Sequence, residues 1–162
     1  MQVYWRAIEA STAPDCLAAL DVLISVQTSR LEADPALVIT SGLPTRDVTR
    51  LDVSDLRDEA RPTDGGAQRA PADCWVCHWP SPGFTYGEMV HPADFHHVAL
   101  LTDDAADGAQ SELVHHLFPQ EIEKGVILRA RARGVFAKGP RGAAAVAAAY
   151  REFLSCPLPL TA

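Results

Sequence analysis

No stretch of the 162-residue chain approaches the roughly 20 consecutive apolar residues that a membrane-spanning helix requires, so none is expected. The opening residues MQVYWRAIEAS lack a basic region, a long apolar core and a small-residue cleavage site. No secretory signal is therefore expected, and the expected location is cytoplasmic. Cysteine is scarce, at four residues (Cys16, Cys74, Cys77 and Cys156). In a reducing compartment these stay thiols, so no disulfide framework is expected. A Gly-rich phosphate loop, a G-x-S-x-G elbow and an H-E-x-x-H pair are all absent. The usual signatures of nucleotide binding, α/β-hydrolase chemistry and zinc proteolysis are thereby missing. There is no heptad pattern or internal repeat, and the only biased tract is an alanine-rich stretch near the C-terminus. Positive charge is in deficit, with a formal net charge of −7. Such a chain repels phosphate backbones and anionic lipid, which argues against general nucleic-acid binding and membrane association.

What is present is ordinary globular material, 48% hydrophobic and 22% charged. The length suits a single domain over 1–162 with a sizeable core. Residues 54–73, SDLRDEARPTDGGAQRAPAD, hold one Leu and no Val, Ile or aromatic residue; a mobile polar loop is expected there. Short β-prone segments fill most of the rest: VYWRAIEA, ALVITSG, RDVTRLDV, CWVCHW, FTYGEMV, FHHVALLT, ELVHHLFP and GVILRARARGVF. In VLISVQTSRLE, Val22, Ile24, Val26 and Thr28 fall on one face, which favours a strand over a helix spanning 14–31. STAPDCLAAL reads as one or two helical turns, with Ser11 or Thr12 as cap. Asp107-Gly108 is a hairpin signal. AAAVAAAYREFL carries a helical stripe of Val146, Tyr150, Phe153 and Leu154. The expected fold is mainly β (α+β): an antiparallel β-sandwich or curled sheet of about eight or nine strands with a C-terminal amphipathic helix.

Cys74-Trp-Val-Cys77-His78 matches the C-x-x-C-H haem-attachment pattern, and over these five residues the chain resembles c-type cytochromes. The resemblance implies thioether bonds at Cys74 and Cys77, an iron ligand at His78 and Met89 as a nominal second ligand. Strand geometry opposes it. In an extended segment Cys74, Val76 and His78 point to one face, and Trp75, Cys77 and Trp79 to the other. Two sulfurs so placed cannot serve one haem, one metal or one disulfide, and Trp-Val is a poor turn for a zinc knuckle. Buried cysteines in a strand are the expectation, with no haem c.

His96-His97 and His115-His116 lie on consecutive predicted strands. A two-residue turn at Asp107-Gly108 makes His116 a diagonal neighbour of His97, roughly 7 to 8 Å between Cα atoms. A four-residue loop sets His97 opposite His116. A three-residue loop pairs His96 with His116 and His97 with His115. Each register brings an imidazole pair onto one face, and His91 lies just upstream, so these five are the candidate ligands for zinc or another transition metal. Arg129, Arg131 and Arg133 form a row about 6.6 to 7 Å apart on one strand face. The row is expected to be solvated, and is a candidate site for a small anionic ligand or a protein partner. The expected role is that of a non-catalytic binding or interaction module without a cofactor. A metal-binding protein or metal-dependent enzyme using the histidines is the alternative.

Overall fold

The computed structural model describes residues 1–8, 15–34, 36–45, 47–51, 73–79, 83–103, 110–118, 121–139 and 142–156, without the side chains of Asp73, Phe95 and His96. The expected polar loop at 54–73 and the Asp107-Gly108 turn lie outside the described residues, save Asp73 itself. In chain order the elements are β1 (Gln2–Ile8), β2 (Cys16–Gln27), β3 (Glu32–Ala33), β4 (Leu37–Leu43), β5 (Val48–Arg50), β6 (Asp73–Trp79), β7 (Phe84–Val90), β8 (Phe95–Asp103), β9 (Gln110–Leu117), β10 (Ile122–Glu123), β11 (Ile127–Lys138) and α1 (Gly142–Ser155). The protein is mainly β with a C-terminal helix, and every strand pairing is antiparallel. Six strands form one sheet in the order β1-β2-β11-β7-β6-β5. A second sheet runs β4-β9-β8, and β10 pairs with β3.

Two expectations need correction. The short helix read in STAPDCLAAL is not formed over its described part, because Cys16–Leu20 already belong to β2. There Ala18 and Ala19 pair with Phe136 and Val135 of β11, so tertiary pairing overrides a weak local helix signal. The eight or nine strands become eleven among the described residues; β3 and β10, at two residues each, are too short to leave a periodic signal.

Each face of the large sheet has its own cover. On one side α1 buries Val146, Tyr150 and Phe153 with Ala145 and Ala149. They pack on Cys16, Ala19, Cys74, Val76, Met89, Val135 and Ala137 of the sheet. Gly87 of β7 permits this approach, because a Cβ there would overlap the Val146 side chain. On the other side, Val22 and Ile24 of β2, Ala130 and Ala132 of β11 and Val90 of β7 share a cluster with Leu37, Ile39, Val98 and Leu117 of the smaller sheet. A second cluster joins Cys77, Trp75 and Tyr86 to Leu43, Leu100 and Leu113.

Candidate functional site

β11 shows how alternation distributes chemistry between the faces. Arg129, Arg131, Arg133, Val135 and Ala137 alternate with Leu128, Ala130, Ala132, Gly134 and Phe136, as the sequence predicts. The arginine side, however, is the one that α1 covers, so the solvated row is not what forms. Arg131 is 1% and Arg133 4% exposed. Arg133 Nε donates to Asp21 Oδ1 at 2.7 Å and Nη2 to Oδ2 at 3.2 Å, while Arg6 Nη2 donates to Oδ2 at 2.8 Å. Arg131 Nη2 donates to the Phe153 carbonyl at 2.9 Å and the Cys156 carbonyl at 3.2 Å. It thereby adds a charged donor to carbonyls at the helix C-terminus and meets the negative end of the helix dipole. Both guanidinium groups lie over the Phe153 ring, at 4.3 and 5.0 Å from its centroid. The missed signal was Asp21, an acid inside the apolar run CLAALDVLISV; an acid buried there requires a cation on the next strand.

The histidines separate into three places. His97 and His116 sit directly opposite each other, the four-residue-loop register, with a bulge between Phe95 and His97. Their rings stack at 3.9 Å and 12° on the outer face of the smaller sheet. Ring-nitrogen lone pairs lie in the ring plane, so near-parallel stacked rings do not converge on one ion. His91 lies instead beside the end of α1, 5.9 Å from the Phe153 ring, and burial followed by the nearby Arg131 charge lowers its pKa. His115 points inward and is fully buried. Among the described residues no group of three or more His, Cys, Asp or Glu is placed to hold a metal. Cys74 packs under the helix and Cys77 in the opposite cluster, so the two thiols face opposite sides of the sheet. His78 Nδ1 lies 3.2 Å from Thr85 Oγ1 on the helix side.

A polar group of which the sequence had singled out only His115 lies between the sheets. His115 Nε2 of β9 is 2.8 Å from Glu88 Oε1 of β7, and Tyr86 donates its hydroxyl to Glu88 Oε2 at 2.8 Å. Ser41 of β4 also hydrogen-bonds Glu88. Burial alone would raise the Glu88 pKa; the bond and charge of His115 and the bonds from Ser41 and Tyr86 outweigh it, and the net shift is downward. Burial, then the Glu88 charge and hydrogen bond, push the Tyr86 phenol upward. Burial, Asp47 and Glu88 likewise push the Cys77 thiol up to about 11. Neither group is therefore activated as a nucleophile. The signal for this cluster was legible in FTYGEMV: Glu88 stands in phase with Phe84, Tyr86 and Val90, on what is otherwise an apolar face.

Beside the cluster is a cavity of about 350 Å³. Its large-sheet wall includes Leu20 and Val22 of β2, Ala132, Gly134 and Phe136 of β11, Tyr86 and Glu88 of β7 and Trp79 of β6. Residues Ile39–Leu43 of β4 form the facing wall. Trp5 of β1 lines it while remaining 68% exposed, and so stands at the rim. Trp79, Phe84, Phe136 and Tyr86 form a chain of ring contacts with centroids 4.9, 5.7 and 5.0 Å apart. β11 presents the small residues Ala132 and Gly134 here, and Gly134 lets the Tyr86 ring lie against the strand, because a Cβ there would come within 2.9 Å of the Tyr86 hydroxyl. No helix among the described residues is long and apolar enough to cross a membrane. Comparison of the chain with protein-family models, curated proteins and solved structures finds no match.

Proposed function

We propose that the chain is a non-catalytic binding module whose ligand is a small, mainly apolar molecule held between the two sheets. The observation that carries this reading is the aromatic-lined cavity of about 350 Å³ with one polar cluster in its wall. Ligand sites commonly occupy about 300–1,000 Å³ and combine an apolar lining with few fixed polar groups. Trp79, Tyr86 and Phe136 offer flat surfaces for a ring or chain. Glu88, kept ionised and oriented by three donors, offers its carboxylate to a ligand hydroxyl, amine or amide hydrogen. The protonated Tyr86 and Cys77 and the fully buried His115 favour binding over turnover.

The test is a fluorescence titration with N-phenyl-1-naphthylamine, a neutral aromatic probe, following probe emission and tryptophan quenching together. One-to-one uptake is expected for the parent, with loss of uptake in Leu20→Trp, which fills the cavity from the β2 side. Uptake that persists unchanged in Leu20→Trp and in Phe136→Ala, or no uptake by the parent, rejects the cavity as the site.

A further inference from the structure

The geometry points to β1 as a homodimer interface: its free edge pairs antiparallel with β1 of a second copy about a two-fold axis at Tyr4. The six-stranded sheet would then continue through both chains. Among the described residues β1 is hydrogen-bonded as a strand only to β2, and it ends the sheet. An open strand edge is a template for pairing, and proteins commonly blunt such edges by shortening, bulges, proline or charge. Two other edges, β5 and β8, bear such features. β5, at the far end of the large sheet, has three residues. β8 carries a register shift and runs out into Asp103. β4 differs by Gly42, which weakens a strand and leaves a gap in its row of side chains. β1 has none of these: seven residues, QVYWRAI, without proline, glycine or a break in its register with β2. Its only charge, Arg6, is already held by Asp21.

The exposed side chains also suit self-association. Val3 is 43%, Tyr4 52% and Trp5 68% exposed. Val3 pairs with Ile24 and Trp5 with Val22, so both lie on the cavity side; Tyr4 and Arg6 lie on the helix side. A two-fold axis normal to the sheet keeps each face on its own side, so only residues of the same parity can oppose each other. With the axis at Tyr4, Val3 meets Trp5 of the second copy, Tyr4 meets Tyr4, and Gln2 meets Arg6. Apolar side chains then face apolar ones, and the arginines face glutamines rather than each other. The rim residue Trp5 would gain a neighbour from the second copy, so pairing would extend the cavity wall.

Sedimentation velocity over a dilution series tests the proposal. The parent is expected to interconvert between monomer and dimer, and Trp5→Lys, at an exposed position, is expected to be a monomer whose melting curve matches that of the parent at dilutions where the parent is monomeric. Cross-linking fixes the register. Directly opposed strand residues have Cα atoms about 4.5–5.5 Å apart, within the reach of about 4.4–6.8 Å for a disulfide. Cys156 is the only described cysteine not fully buried. In a Cys156→Ser background, Tyr4→Cys should therefore give a disulfide-linked dimer under mild oxidation. Ile127→Cys, exposed on β11 of the same sheet, should not. A parent that is monomeric at every concentration, a dimer that survives Trp5→Lys, or equal cross-linking at Tyr4→Cys and Ile127→Cys would overturn the assignment.

Discussion

The two faces of the large sheet solve the same burial problem in opposite ways. Beneath α1 the space is filled: Arg131, Arg133, Met89 and Val135 meet Tyr150 and Phe153, and the buried Asp21 is held by two arginines. Beneath the smaller sheet the same β11 strand presents Ala132 and Gly134, and space for a cavity remains beside Glu88. The lesson is that one strand can serve a filled face and a face with room for a ligand, according to what packs across each side. A filled face should resist substitution, whereas a face with room should tolerate it.

The largest effect is expected at Asp21. Asp21→Ala leaves Arg133 buried without its counter-ion, and removing one member of a buried pair costs about 3–5 kcal/mol. Urea unfolding should show this as a lower midpoint at unchanged slope; a loss comparable to that of a surface mutation would mean that water reaches the arginines. Next comes Gly87→Ala, which forces a methyl group into Val146. Overpacking of this kind costs about 1–3 kcal/mol, and Val146→Ala in the same chain should recover much of the loss. The contrast is Leu20→Phe on the cavity face, where free volume should hold the change below about 1.5 kcal/mol. If it costs more than Gly87→Ala, the difference between the faces is not one of packing.

Acid titration sharpens the comparison further. Glu88 has a folded pKa below its ordinary 4.5. Its network therefore contributes stability that is full above that value and lost as pH falls through the lowered folded pKa. Glu88→Gln should flatten this acid limb in pH-dependent thermal melts; an unchanged limb would mean that other carboxyls cause it. The smallest effect is expected at His116→Ala, away from both interior faces. Its ring is stacked on His97 but only partly buried, so the change should stay within about ±0.5 kcal/mol.

Sequence reading reached different depths in different elements. The alternation of β11 was legible, as were the strand character of residues 22–27, the opposed faces of Cys74 and Cys77, and the helical stripe at Val146, Tyr150 and Phe153, though not its fourth member Leu154, which is exposed. Each depends on a local period that the backbone imposes whatever packs on it. The His97–His116 contact was legible only as one of three registers, because loop length had to choose among them. β3 and β10 were not legible, being too short for any period to show.

The candidate site lay deeper. Periodicity assigned Arg131 and Arg133 to one face of β11, but it carries no information on which face α1 would cover. Whether an arginine row meets water or Asp21 is decided by strand order, since β2 comes to lie between β1 and β11. Glu88, Tyr86, Ser41 and His115 come from three strands, β7, β4 and β9, of two different sheets. The sequence determined the side chains, their alternation and thus which ones could share a face. Tertiary structure alone decided which faces met, because burial energy depends on what lies across the interface, and that partner is distant in the chain.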